Sequence, residues 1–178
     1  NQIFDNNDKP NLNLTHGGII FKDVNFSYDE NNHVLRNINI EILGGKMSAF
    51  VGLSGAGKST LLSLIPRIYN STSGDISIDN QSIYETNLSS LRNKISIVDQ
   101  NTTLFDDTVY NNILYAKPDA SEKEIIQAAK MANCEEFIKT MNNGINTVIG
   151  ENGIKLSGGE KQRIAIARAF LRNSQIIL

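Results

Sequence analysis

Gly52-Leu53-Ser54-Gly55-Ala56-Gly57-Lys58-Ser59 decides how this chain is read. The stretch matches G-x-x-x-x-G-K-[ST], and its surroundings give the match its meaning. Upstream, Gly44-Gly45 turns the chain into residues 47–51, a short apolar run suited to a buried strand. Downstream, Leu61, Leu62, Leu64, Ile65 and Ile68 recur at helical spacing, which predicts a helix over about residues 58–68. A glycine-rich turn between strand and helix lets successive backbone N–H groups converge on one anion. The helix adds the positive end of its dipole. The pattern therefore points to the phosphates of a nucleotide, with Lys58 reaching the outer two and Ser59 ligating Mg²⁺.

Outward from this motif, strands and helices alternate. Residues 19–22 and 24–28 look like strands, and Ile38, Ile40 and Ile42 alternate with polar residues as in a half-buried strand. Ile76 and Ile78 repeat that alternation, Asn87 is a candidate helix cap, and residues 95–98 suit a buried strand. Residues 101–143 read as mainly helical, with Ser121 and Glu124 forming an S-x-x-E capping box. A glycine-punctuated loop follows over residues 147–156, and residues 175–178 begin an apolar strand. This order argues for an α/β domain with a mostly parallel sheet, an early β-rich part and a helical insertion. Residues 1–16 are polar, Asn-rich and without apolar periodicity, as in a linker or extended arm.

Composition narrows the function classes. A chain of 178 residues, 40% hydrophobic and 20% charged, fits one globular domain. A net charge of −2 offers no broad basic field for nucleic acid, and no such partner is expected. No apolar run approaches the ~18 residues of a membrane span, and no signal peptide opens the chain. The single Cys134 excludes an internal disulfide and is expected to pack as a small hydrophobe, while His16 and His33 have no metal-ligand partners nearby in sequence.

A second motif is Leu156-Ser157-Gly158-Gly159-Glu160. A capped helix start accounts for Ser157 and Glu160, which form another S-x-x-E box ahead of a helix running to about Leu171. It does not account for two glycines in the first turn, each costing roughly 0.5–1 kcal/mol relative to alanine. What glycine provides there is close backbone approach to a ligand. With Gln162-Arg163-Ile164-Ala165-Ile166-Ala167-Arg168-Ala169 behind it, this stretch resembles the signature motif and signature helix of ABC-type ATPases. The resemblance runs from about Gly18 to Leu178.

The resemblance implies a P-loop NTPase (RecA-like) core, mostly parallel, with an N-terminal antiparallel β part and a helical subdomain over about residues 101–172. Residues 1–17 would then be a linker from a transmembrane domain outside this chain, and 18–178 the nucleotide-binding domain. In the family, ATP is held by the positions matching Gly52, Leu53, Ser54, Gly55, Ala56, Gly57, Lys58, Ser59 and Thr60, and an aromatic at the position of Tyr28 stacks on adenine. Gln100 resembles the glutamine that ligates Mg²⁺ with Ser59 and senses the γ-phosphate, so Lys58 and Gln100 are the expected catalytic positions. Asp99 departs from the apolar, proline or serine residues common before that glutamine. Two such domains pair head to tail, so Ser157, Gly158 and Gly159 are expected to meet the nucleotide held by the partner's P-loop.

Thr147-Val148-Ile149-Gly150-Glu151-Asn152-Gly153 resembles the loop with which exporters touch their transmembrane domain. Leu104-Phe105-Asp106-Asp107-Thr108-Val109 and Asn111-Asn112-Ile113 are similar to lipid-exporting and multidrug types. The implied function is ATP-driven export of lipid or hydrophobic compounds, with the domain at the cytoplasmic face of the membrane. Two alternatives stay open, a nucleotide-binding module without turnover and a non-transport ABC ATPase. In the family an acidic pair ends the strand that begins here near Gln175, and it lies outside the 178 residues. The chain by itself is thus expected to bind ATP, to hydrolyse it very poorly and to be of low stability.

Overall fold

The computed structural model describes residues 3, 8–29, 32–99 and 102–178. It forms two compact units, Asn1–Ile95 and Ser96–Leu178.

In the first unit, β1 (Ile19–Ser27) lies between β2 (His33–Ile42) and β3 (Ser73–Ile78), and β4 (Gln81–Ser82) completes an antiparallel sheet of order β2-β1-β3-β4. The two strands expected over residues 19–28 are one strand with a bulge. Phe21 and Val24 are three residues apart, so strict alternation would send them to opposite faces. A register shift between them, with Asp23 at a φ of 52°, resets the alternation, and Ile19, Phe21, Val24 and Phe26 are all buried. Gly74 makes room for this bulge: a Cβ there would sit 2.4 Å from the Asp23 carbonyl oxygen. Ile76 and Ile78 of β3 are fully buried, and Asp79 and Asn80, both at positive φ, form the tight turn into β4. Ile38, Ile40 and Ile42 of β2 are half-buried, as their alternation predicts.

Helix α1 spans Lys58–Leu64, shorter than predicted. Pro66 has no N–H to continue the ladder and Arg67 turns to a φ of 53°, so the chain leaves the helix there. Helix α2 (Leu88–Asn93) is capped by Asn87, whose side chain accepts from the Ser90 N–H. From α2, Arg92 donates to the carbonyls of Pro66 and Arg67 at 3.0 and 2.6 Å, fixing the end of the α1 segment. Leu64, Ile65, Ile83 and Leu91 join the sheet residues in the core.

The buried strand expected over residues 47–51 is not formed. The stretch carries no strand assignment, and Met47 and Val51 are 99% and 91% exposed. A strand needs a ladder partner and cover on its faces, and among the described residues no strand lies alongside this one. The arm before Gly18 is fastened along its described part. Leu12 is buried, its N–H donates to Ser90 Oγ, and Gln81 bonds Asn13 in both directions.

The unit boundary falls inside β5 (Ile95–Ser96), which pairs with β6 (Ile176–Ile177). The Leu178 N–H donates to the Ser96 carbonyl and the Val98 N–H to the Leu178 carbonyl, the pattern of a parallel ladder. Strand structure ends at Ser96 rather than Val98, and Ile97 is half-exposed.

The second unit is otherwise helical: α3 (Val109–Leu114), α4 (Glu122–Met131), α5 (Glu135–Ile138) and α6 (Gly158–Arg172). The capping boxes at Ser121 and Ser157 are both made. Ile113, Ile125, Ile149 and Ile164 are fully buried, with Ala128, Ala129, Ala167 and Cys134 packed among them. Among the described residues no helix is long and apolar enough to cross a membrane.

Candidate functional site

The glycine-rich loop opens into α1 as the motif requires. Gly57 is the N-cap of α1 at a φ of 83°, and no side chain caps the helix, so its first N–H groups are free for an anion. A Cβ on Gly57 would also come within 2.8 Å of Leu35. This position therefore needs glycine for both its backbone conformation and the packing of β2 beneath it. Around Gly55, a Cβ would meet nothing within 4 Å, which leaves the mouth of the loop open. Lys58 folds along the loop and donates through Nζ to the carbonyls of Gly52 and Leu53 at 2.8 and 2.7 Å. The cation is thus tethered over the same turn that offers the N–H groups. Backbone donors, an ammonium and the Ser59 hydroxyl form a donor set that fits the phosphates of a nucleotide. Among the described residues no group of three or more His, Cys, Asp or Glu could hold a metal ion.

Tyr28 stands in the same unit, half-exposed, at the end of β1. Its hydroxyl is hydrogen-bonded to that of Thr60 at 3.0 Å, and Thr60 lies in the first turn of α1. The structure thus brings Tyr28 and the start of α1 together, two positions 32 residues apart. Sequence reading named both but had no signal for the bond. An open groove of about 780 Å³ adjoins the ring, lined by Phe26, Tyr28, His33, Tyr69 and Thr72 among others. Gln100, the expected Mg²⁺ ligand, lies outside the described residues.

The second motif belongs to the other unit. Ser157 Oγ accepts from the Glu160 N–H, and Glu160 Oε2 accepts from the Ser157 N–H and hydroxyl at 2.7 Å each. Those bonds, the Ser157 side chain first and its backbone second, hold the Glu160 carboxyl below the usual carboxylate range. Gly158 and Gly159 are exposed and a Cβ on either would meet nothing within 4 Å, so the turn lies open to solvent. In the loop before it, Ile149 is fully buried and roots the segment, while Val148, Glu151 and Ile154 face outward.

One constellation in this unit escaped the sequence reading. Asn112 is fully buried: its Nδ2 donates to the carbonyls of Phe105 and Thr108, and its Oδ1 accepts from the Phe105 N–H. Arg168 of α6 donates to Asn112 Oδ1, to the Asn112 carbonyl and to the Thr103 carbonyl at 2.7–2.9 Å, and lies over the Phe105 ring. These bonds tie α6 to the loop at 103–105. No local pattern announces a contact across 56 residues.

The fold and the phosphate cradle define a P-loop nucleotide-binding domain. Comparison with known proteins makes the assignment particular. The family model described as ABC transporter matches residues 35–178. An ATP-dependent lipid A-core flippase of Syntrophus aciditrophicus is 54% identical over 90% of this chain and 26% of its own length. A putative multidrug export ATP-binding/permease protein of Staphylococcus aureus is 48% identical over 94% of this chain and 29% of its own length. The solved structure of a bacterial Atm1-family ABC exporter with ATP bound superposes with a TM-score of 0.94 at 41% identity, over 98% of this chain and 31% of that one. The chain belongs to the ABC transporter family. It spans a third or less of the length of these relatives.

Proposed function

We propose that this chain is the ATP-binding domain of an exporter, coupling ATP binding and hydrolysis to transport of lipid or hydrophobic compounds. The observation that carries the reading is the cradle: an uncapped α1 N-terminus behind a glycine loop, with Lys58 tethered over it. The relatives named as a lipid A-core flippase and a multidrug exporter support the direction and class of transport. In this reading residues 52–60 hold the triphosphate and Tyr28 carries the adenine. Ser59 and Gln100 would be the side chains that ligate Mg²⁺. The open turn at Ser157, Gly158 and Gly159 meets the γ-phosphate bound by a second such domain, head to tail. The loop over residues 147–153 faces the transmembrane part, with Val148 and Glu151 outward and Ile149 as its root. The domain works at the cytoplasmic face of the membrane, joined there through transmembrane segments of the intact protein.

The test is Lys58→Ala in the intact protein. Mg-ATP affinity should fall about 100-fold or more, because a charge-assisted contact to phosphate is lost from a site built around it, and ATP turnover and substrate export should fall with it. Undiminished ATP affinity in this variant would overturn the nucleotide reading. Lost turnover with no loss of any lipid or drug flux would overturn the exporter reading alone.

A further inference from the structure

We infer that Tyr69 is a positioning residue for the nucleobase platform, holding the Tyr28 ring at a fixed distance from the phosphate cradle. The inference rests on the reading of Tyr28 as the base-stacking residue and goes a step beyond it.

Tyr28 is held from two directions by one stretch of chain. At one end of that stretch, Thr60 in the first turn of α1 bonds the Tyr28 hydroxyl. At the other end, Tyr69 packs against the Tyr28 ring edge-on, with centroids 5.3 Å apart and planes at 89°. Phe26 meets the same ring edge-on from β1, at 4.8 Å and 85°, and closes the cluster against Tyr69 at 5.7 Å. Edge-to-face contacts fix ring orientation because the positive edge of one ring seeks the negative face of another.

Tyr69 is itself on a firm footing. The turn that carries it is anchored by Arg92, which donates to the Pro66 and Arg67 carbonyls. It is anchored again by Arg67, which donates through Nε to Asn70 Oδ1 and through Nη1 to the Ile83 carbonyl. The Tyr28 ring is therefore held both by Thr60 in the first turn of α1, next to the loop over residues 52–59, and by Tyr69 in the braced turn that follows the helix. Spacing between a stacked base and the triphosphate is then set by α1 and the turn after it rather than by the loop after β1. A free Tyr28 would sample several rotamers, and binding would have to select one of them.

The chemistry separates base from phosphate, so the experiment does too. In the intact protein, affinities for Mg-ATP and for Mg-tripolyphosphate are measured for Tyr28→Ala, Tyr69→Ala, Tyr69→Leu and Tyr69→Phe. The positioning role predicts that Tyr69→Ala weakens ATP by about 2- to 12-fold, the range of one aromatic pair. Tripolyphosphate affinity stays unchanged, and Tyr69→Phe, which keeps the ring, restores ATP binding. Tyr69→Leu keeps apolar bulk without a ring and should behave as alanine, which covers the case of an alanine variant that does not fold. If Tyr28→Ala lowers the ratio of ATP to tripolyphosphate affinity and neither Tyr69→Ala nor Tyr69→Leu does, the positioning role is wrong and the base platform stands. If Tyr28→Ala itself leaves the ratio unchanged, the platform reading falls and the role of Tyr69 falls with it. Equal losses for both ligands in the Tyr69 variants would make Tyr69 a fold residue only, and would also overturn the inference.

Discussion

Asp79 is one carboxylate among five donors. Its Oδ2 accepts from the Thr15 N–H and hydroxyl and from the N–H groups of His16 and Gly17, and its Oδ1 accepts from the Gly18 N–H. Partial burial pushes its pKa up, but the four backbone donors together outweigh that and hold the carboxyl well below the usual range. The sign follows directly. A group whose folded pKa is depressed contributes stability above its unfolded pKa, about 3.9, and loses it progressively as pH falls below that value. Asp79→Asn should lower stability at pH 7 by about 1–2 kcal/mol, a figure reduced for the site's partial exposure to solvent. Denaturation midpoints of wild type and variant should converge as pH drops from 4 towards 2. A gap of constant size across that range would mean that the arm is held by hydrogen bonding alone, without help from the charge. Nothing in the sequence pointed to this clasp, because a turn aspartate and a polar arm more than 60 residues apart share no spacing rule.

Elements whose determinants are local were legible in the sequence, and elements that depend on distant partners were less so. The caps at Asn87, Ser121 and Ser157 formed as read, since a cap is decided within four residues. The phosphate loop was legible for the same reason: its glycines set a local backbone path that few other sequences take. Residues 47–51 were misjudged because apolar character makes a strand only where another strand lies alongside, and Ile97, though β6 runs beside it, is half-exposed rather than buried. The Asn112–Arg168 network also lay beyond local reading. Its weight can be measured. Asn112→Leu keeps volume but takes the acceptor from the Phe105 N–H and from one Arg168 nitrogen, and removes the donor facing the Phe105 carbonyl. Leaving those part-buried groups unpaired should cost about 1–3 kcal/mol. The loss should appear as faster amide exchange at Phe105 and along α3, with α2 in the other unit unaffected. Unchanged protection at Phe105 would show that the loop is held by other contacts and that the network is incidental.

Each unit of the molecule has its own buried core, and the second contains a built-in reporter of its integrity. Cys134 is fully buried among the alanines and isoleucines that join α3, α4 and α6. Burial pushes its thiol up to about 12, with the nearby Arg163 charge pulling the other way. Only the thiolate reacts, so at pH 7.5 the reactive fraction is lower than that of a free cysteine by roughly a thousandfold or more, before any steric shielding is counted. Labelling of the native chain by a maleimide should therefore be very slow and should pass through opening of the second unit. Adding denaturant should accelerate it along the unfolding curve of that unit. Following β1 by hydrogen exchange in the same samples asks whether the first unit opens with it. Two cores that melt independently predict that β1 exchange and Cys134 labelling have different denaturant midpoints, whereas one cooperative domain predicts a shared midpoint. Native-state labelling within about tenfold of a free thiol would contradict the burial of Cys134, and with it the packing of α4 and α6 that shapes the unit carrying Ser157, Gly158 and Gly159.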